Sequence, residues 1–334
     1  MGYTRDADGF VVPLMPASTG SRSRANTDSR PITGSSGSPV RSLVENPLYR
    51  RRNLAANNIY MRSSRDQFPD HVADLIDHMR RDRGSPGLTL DEVWKDKALE
   101  GLGMGAAEPD VEDCFRTRIF PDRDPGDSLE RSDRQPMAKH TVPSTGSGLK
   151  ISTPVPDMLY GYREEAFAQQ QAQLISMGTE MVANNQSQGL VYPFLVVEFK
   201  GDGGNMWVAT NQCLGGSASC VNIAENLNRR LRQCKSDLVH PIDSAAFSIA
   251  INGVEARLYI SWKENELDYY MANIGWFLVQ DPEQYLKFRK YVRNIIDWGR
   301  DGRLEGIRKS LDSLLEESQK TELSAGRRRG AATR

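Results

Sequence analysis

One stretch decides the fold of this chain: Tyr192-Pro193-Phe194-Leu195-Val196-Val197-Glu198-Phe199-Lys200-Gly201. A short apolar, β-branched run bounded by turn residues is typical of a buried strand, and a proline is tolerated at its beginning. Side chains alternate between the two faces of a strand, so Val196, Glu198 and Lys200 are expected on one face. Burying charges costs several kcal/mol per ion. A glutamate and a lysine at the end of such a strand are therefore expected to be paired or to serve a function.

Composition indicates a soluble protein of one or two domains. The chain has 334 residues, of which 26% are charged and 38% hydrophobic, and its formal net charge is -1. This balance argues against a uniformly basic nucleic-acid-binding surface, so any contact with nucleic acid must be local. The four cysteines lack C-x-x-C spacing and are expected to be free thiols, without zinc, in a reducing compartment.

The sequence contains no recognisable membrane-spanning or secretory signal. No apolar run approaches the roughly 18 residues of a membrane-spanning helix, and the amino terminus lacks the apolar core of a signal peptide. We therefore expect an intracellular protein, nuclear or cytoplasmic, with no membrane partner. The sequence does not indicate an oligomeric state.

Changes in composition divide the chain into five segments. They are a disordered arm (1–65), a helical lead-in (66–122), a linker loop (123–148), an α/β core (149–322) and a basic tail (323–334). The arm is rich in Ser, Gly, Arg, Asn and Pro, with too few apolar residues to bury a face. Its Arg50-Arg51-Arg52 run fits a nuclear-import signal, a phosphate-binding patch or simply a charged tail.

Hydrophobic periodicity predicts the elements of the ordered segments. Helices are expected at 68–83, 88–102, 108–118, 164–184, 206–233, 282–298 and 304–323, and extended segments at 149–162, 192–200, 245–251, 254–262 and 267–278. Thr89 and Glu92 have the spacing of a capping box. Asn252-Gly253 predicts a two-residue hairpin turn with positive φ. Gly215-Gly216 predicts a kink or close packing within the long helix.

The strongest chemical motif combines Pro156-Asp157 with Glu198-Phe199-Lys200. Cleaving a phosphodiester requires a hard cation held by carboxylates, an activated water and positive charge near the reacting phosphate. Asp157 and Glu198 could bind Mg²⁺ or Mn²⁺ with the main-chain carbonyl of Phe199, while Lys200 orients or activates the water. Other Pro-Asp pairs occur, but only this one lies in an extended segment just upstream of the strand. The alternative is a structural ion pair between Glu198 and Lys200, with Asp157 capping a turn.

Four blocks of the sequence resemble the landmarks of an uncharacterised fungal domain family that is assigned to the PD-(D/E)XK, restriction-endonuclease-like superfamily. They are His140 to Pro143, Ile151 to Tyr162, Val196 to Lys200 and Asn294 to Gly299. The resemblance spans about residues 140–315. It implies an α/β fold with a nuclease-like core, in which a central mixed β-sheet is flanked by helices. It also implies a functional glutamine on the helix after the lysine strand, which corresponds to Gln212. An early-helix glutamate of the superfamily has no assigned counterpart, although Glu112 is a candidate.

Two functions follow as expectations. The first is Mg²⁺-dependent cleavage of nucleic acid through Asp157, Glu198 and Lys200. The alternative is a catalytically inactive nuclease-fold module that binds or scaffolds in a fungal pathway. Tyr269-Tyr270 and Trp276-Phe277 could stack on bases, although alternating aromatic residues in strands more commonly belong to the core.

Overall fold

The computed structural model describes residues 42–84, 87–120, 126–184, 189–234 and 241–316, together with the backbone of residues 4–5 and 11–12. The chain divides into two units, residues 1–40 and 41–334. In the first unit, strand β1 (Thr4–Arg5) pairs with strand β2 (Val11–Val12) in antiparallel orientation. Every other described element belongs to the second unit.

The second unit is built on a mixed seven-stranded sheet with the strand order β3-β9-β8-β7-β6-β5-β4. The strands are β3 (Ile59–Arg62), β4 (Leu129–Ser132), β5 (Met158–Tyr162), β6 (Val191–Phe199), β7 (Ala246–Ile251), β8 (Glu255–Lys263) and β9 (Tyr269–Leu278). The β3–β9 and β6–β7 pairs are parallel and the other pairs are antiparallel. All nine residues of β6 are buried, as its apolar run predicts.

Helices flank the sheet, which confirms the predicted α/β class. They are α1 (Asp70–Arg80), α2 (Leu90–Trp94), α3 (Lys97–Leu102), α4 (Glu108–Arg118), α5 (Gln171–Met177), α6 (Met206–Gln233), α7 (Pro282–Trp298) and α8 (304–316). The capping box of Thr89 and Glu92 begins α2 as predicted. The predicted helix 88–102 is divided because Asp96 caps a second helix through the N–H groups of Ala98 and Leu99. No helix within the described ranges is long and apolar enough to cross a bilayer.

The long helix α6 covers one face of the sheet at β6 and β7. A Cβ atom on Gly216 would lie 3.2 Å from a methyl group of Val196, so the predicted close packing at the glycine pair is confirmed. Helix α7 packs on the opposite face, where its Phe288 ring lies 5.3 Å from the ring of Phe277. The core therefore forms on both sides of the central strands.

The prediction of a disordered arm is wrong for residues 42–62. Strand β3 extends the edge of the sheet by pairing with β9, and Tyr49, Leu54 and Ile59 are buried. Local composition did not predict this order because a few apolar side chains can fix a segment in place when the rest of the domain supplies the surface on which they pack. Of the arm, residues 1–41 lie outside the described side chains, and the predicted basic tail lies outside the described residues altogether.

The predicted linker loop also contains structure. Its residues Leu129–Ser132 form β4, the edge strand next to β5. Edge strands expose one side and tolerate polar and charged residues, so the polar composition of this segment concealed a strand. Conversely, the expected extended segment 149–162 forms a strand only from Met158 to Tyr162.

The hairpin between β7 and β8 is confirmed, but the predicted turn geometry is wrong. Neither Asn252 nor Gly253 has a positive φ. The side-chain oxygen of Asn252 instead accepts hydrogen bonds from the N–H groups of Val254 and Glu255. A Cβ atom on Gly253 would lie 2.4 Å from the carbonyl oxygen of Leu102. Glycine is therefore required by close approach of α3 and not by a left-handed backbone.

Candidate functional site

Two neighbouring strands bring Asp157 and Glu198 together. Met158 of β5 is paired with Val197 of β6 in antiparallel register, so the next position along each strand places Asp157 opposite Glu198. Directly opposed residues of an antiparallel pair share a face of the sheet. One oxygen of Asp157, Oδ2, also accepts the backbone N–H of Phe199 at 2.8 Å. The carboxylate of Asp157 is thus anchored to the end of the central strand.

Glu198 lies in the interior beside this anchored carboxylate. Its residue is 1% exposed, and its Oε2 atom has no hydrogen-bond partner among the described residues. Burial raises the pKa of Glu198 well above its ordinary value, the carboxylate of Asp157 raises it further, and the ammonium of Lys200 offsets part of the rise. An unsatisfied buried carboxyl is costly, and it is suited to binding a cation or a proton.

Lys200 lies at the end of β6, where its Nζ donates a hydrogen bond of 2.5 Å to the carbonyl of Phe199. The same nitrogen is 3.8 Å from a carboxylate oxygen of Glu108 at the start of α4. The ion pair of Lys200 is therefore formed with Glu108, and the alternative of a structural Glu198–Lys200 ion pair is wrong. The carbonyl predicted as a metal ligand is already in contact with an ammonium group.

An arginine that the sequence did not single out links the site to helix α4. Arg134 has a left-handed backbone with φ of 52°, and its Nε lies 3.4 Å from Oδ1 of Asp157. Its guanidinium also donates to Glu112, which is 7% exposed and is bonded to Arg116 as well. Glu112, the candidate left unassigned by the sequence, is thus one side chain away from Asp157. Arg134 lies in a polar stretch that offers no local signal of such a role.

Helix α6 places the buried thiol of Cys213 near the carboxylate of Glu198. Burial raises the pKa of this free thiol well above its ordinary value, and the carboxylate of Glu198 raises it further. Gln212 precedes it, and its Oε1 is buried without a hydrogen-bond partner among the described residues. No hydrogen bond joins Gln212 to Asp157 or Glu198 in the described part of the chain, so its predicted contribution stays a prediction.

The residues present fit a hard divalent cation better than zinc. Across the described ranges, no group of three or more His, Cys, Asp or Glu side chains is arranged to hold a metal ion. Asp157 and Glu198 with the carbonyl of Phe199 offer oxygen ligands only. Mg²⁺ commonly takes one or two carboxylates and retains several waters, whereas structural zinc sites use four protein ligands, mostly cysteine and histidine. The unpartnered Oε2 of Glu198 is the observation that favours a cation at this position.

Comparison with known proteins identifies a family without assigning a function. No curated protein and no solved structure matches the chain. One family profile, a domain of unknown function (DUF7924), matches residues 124–311, which is more than half of the chain. The match includes Asp157, Glu198, Lys200 and Arg134, and it begins after Glu112. The chain therefore belongs to the DUF7924 family of domains.

Proposed function

We propose that this protein is a nuclease of the PD-(D/E)XK type that depends on Mg²⁺ or Mn²⁺. The observation that carries the proposal is the position of Asp157, the residue before β5, beside Glu198 of β6, where it is bonded to the N–H of Phe199. An oxygen of Glu198 is left unpartnered among the described residues, and Lys200 follows the same strand. Two acidic groups and one lysine at the end of a central strand match the chemistry required for phosphodiester hydrolysis.

Each residue has a distinct role in this proposal. Asp157 and Glu198, with the carbonyl of Phe199, hold the divalent ion. When bound, that ion neutralises the negative charge that develops on the phosphate oxygens. Lys200 releases the Phe199 carbonyl and turns its ammonium toward the attacking water, which it orients by hydrogen bonding. Since its side chain is 14% exposed, Lys200 lies at the boundary between the buried carboxylates and solvent.

The neighbouring helices supply two further elements of the resemblance. Glu112 on α4 contacts Asp157 through Arg134, which is a suitable location for the early-helix glutamate of the superfamily. Gln212 lies on α6, the helix that follows the lysine strand. The position of Glu112 supports the nuclease proposal, because it connects to the end of β6 from a distant part of the sequence.

A second candidate function has its own supporting observation. Arg134 contacts Asp157 and Lys200 contacts the carbonyl of Phe199, so the cations of the chain already engage two of the proposed metal ligands. Such an arrangement also fits a nuclease-fold module that binds or scaffolds without cutting. The two functions differ in whether a divalent ion displaces these internal cations.

A cleavage assay distinguishes the two functions. The purified protein is incubated with linear duplex DNA, single-stranded DNA and RNA in Mg²⁺, Mn²⁺ or EDTA. We expect cleavage that requires the metal, and a decrease of roughly 100-fold or more in Glu198→Gln and Lys200→Met, because loss of a positioned catalytic group has effects of this size. Glu225→Gln is the matched control, since Glu225 is a buried glutamate on α6 that pairs with Arg232. Equal activity in all four proteins, or none in the wild type, would reject the nuclease.

A further inference from the structure

A row of four paired residues crosses the sheet from Glu198 in β6 to the exposed Trp276 in β9. Glu198 is paired with Ala250, Ala250 with Arg257, and Arg257 with Trp276 on four successive strands. Paired residues share a face, so all four side chains lie on the face that α6 partly covers. With strands about 4.8 Å apart, Arg257 and Trp276 are roughly 10 and 14 Å from Glu198 along this row. We call Ala250, Arg257 and Trp276 the transverse row.

Trp276 is the exposed end of the transverse row. Its residue is 74% exposed, whereas the neighbouring Phe277 is 3% exposed and packs on α7. Tyr269, another aromatic residue considered for base stacking, is also buried. The ring of Trp276 is therefore accessible for stacking against a partner.

Arg50 and a second tryptophan lie at the beginning of α6, on the face of the sheet that carries the transverse row. The guanidinium of Arg50 lies 5.4 Å from the centre of the Trp207 ring, in the first turn of α6, and Nε of Arg50 donates to Asn211. Burial lowers the pKa of Arg50, Tyr259 offsets part of this, and the guanidinium of Arg257 lowers it further. Asn211 follows Thr210, whose hydroxyl lies 3.1 Å from the hydroxyl of Tyr259. Tyr259 is two residues from Arg257 on β8 and shares its face, so Arg50 lies on the side of the sheet that carries Arg257.

The two arginines of this surface differ in their acidic partners. Glu255 forms a hydrogen-bonded ion pair with Arg257, which orients that guanidinium. Arg50 has no carboxylate partner within 4.0 Å among the described residues, and the adjacent Arg51 and Arg52 are exposed. The triple-arginine run of the sequence therefore lies in a folded segment.

We propose that Arg257 and Trp276, the two accessible residues of the transverse row, form with Arg50 a docking surface for single-stranded nucleic acid. A base stacks on Trp276, while Arg257 and Arg50 contact phosphates. The inference rests on the proposed nuclease function and adds the class of substrate. A single strand is favoured because an exposed ring requires an unstacked base, and sequence-tolerant stacking is typical of single-strand binding. Duplex binding relies on many phosphate contacts, which a chain of net charge -1 supplies less readily.

Binding measured without cleavage tests the inference. Fluorescence anisotropy in EDTA follows labelled 20-nucleotide dT and rU strands and a DNA duplex of the same length. We expect Trp276→Ala to weaken single-strand binding roughly 5- to 150-fold, the range found when one stacking aromatic residue is removed. Arg257→Gln should weaken it and reduce the dependence on salt by a slope of about 0.7, the value for one phosphate contact.

Matched controls separate this surface from general effects on the protein. Trp94→Ala removes a tryptophan of 75% exposure on helix α2, and Arg230→Gln removes an arginine paired with Glu180 near the other end of α6. Both should bind single strands like the wild type. Equal binding by Trp276→Ala and the wild type, or a preference for duplex, would overturn the inference.

The outcome also separates this inference from the proposed function. Glu198→Gln leaves the transverse row intact, so it should bind the strands normally and cut nothing. Binding without cleavage in the wild type would reject the nuclease and retain the docking surface. Metal-dependent cleavage with no single-strand binding would reject the docking surface and retain the nuclease.

Discussion

Replacing Glu198 by glutamine should abolish stabilisation of the protein by Mg²⁺. The change keeps the size of the side chain and removes a negative charge beside Asp157. Because Oε2 of Glu198 has no hydrogen-bond partner in the described structure, the amide replaces a group that makes no such contact there. The variant therefore tests the metal site with little disturbance of the packing.

The expected magnitude follows from linkage between binding and folding. At a Mg²⁺ concentration of 100 times Kd, binding stabilises the folded state by about 2.7 kcal/mol. For a chain of this size, that corresponds to an increase in Tm of about 5 °C, at roughly 2 °C per kcal/mol. If the loss of one of two carboxylates weakens binding 100-fold, the same concentration contributes only about 0.4 kcal/mol, and the increase in Tm falls below about 1 °C.

The pKa of Glu198 supplies a second readout from the metal-free protein. Because its folded pKa is raised above its ordinary value of 4.5, the folded state holds this proton more tightly than the unfolded state. Stability should then fall as pH rises from about 4.5 toward the raised pKa. Glutamine carries no titrating proton, so Tm of the variant in EDTA should exceed that of the wild type increasingly across this window.

Differential scanning fluorimetry measures both effects. Wild type, Glu198→Gln and the control Glu225→Gln are melted in EDTA and in a Mg²⁺ titration at constant ionic strength, at pH 5 and pH 8. The wild type and the control should show the shift and Glu198→Gln should not. A shift of equal size in Glu198→Gln would refute the metal site and, with it, the physical argument from the unpartnered carboxyl.

Three further predictions address the residues around the site and the corrected parts of the fold. Arg134→Gln removes a cation 3.4 Å from Asp157 and should lower the Mg²⁺ concentration needed for half of the thermal shift, while Arg230→Gln should not. Unchanged or weaker Mg²⁺ binding by Arg134→Gln would contradict a competition between Arg134 and the metal. Gly253→Ala places a Cβ atom 2.4 Å from the carbonyl of Leu102 and should destabilise the fold by about 1–3 kcal/mol in urea unfolding, whereas Gly306→Ala enters open space and should not be destabilising. A chain that begins at residue 66 loses β3 and the buried Tyr49 and Leu54, so its Tm should be well below that of a chain that begins at residue 42. Equal Tm values for the two chains would show that residues 42–65 add nothing to the stability of the core.

The sequence by itself determined the central elements of the fold. The apolar run of β6, the apolar stretches of β7 and β8 around a turn, and the periodic helices α1, α6 and α7 are encoded by residues close together in the chain. Their spacing alone specifies which face is buried, since it must match the period of a strand or a helix. The same local pattern indicates Asp157 and Glu198 as site residues, because Glu198 lies in the apolar strand and Asp157 lies in the extended segment before it.

Only the tertiary structure decided the edges of the sheet and the surroundings of the site. Strands β3 and β4 are only four residues long, and they exist because β9 and β5 offer them backbone partners. Gly253 is required by a carbonyl from a different helix and not by its own turn. Arg134 joins Glu112 to Asp157 across sequence separations of 22 and 23 residues. Such contacts depend on where distant segments meet, and side-chain periodicity within one segment carries no information about that meeting point.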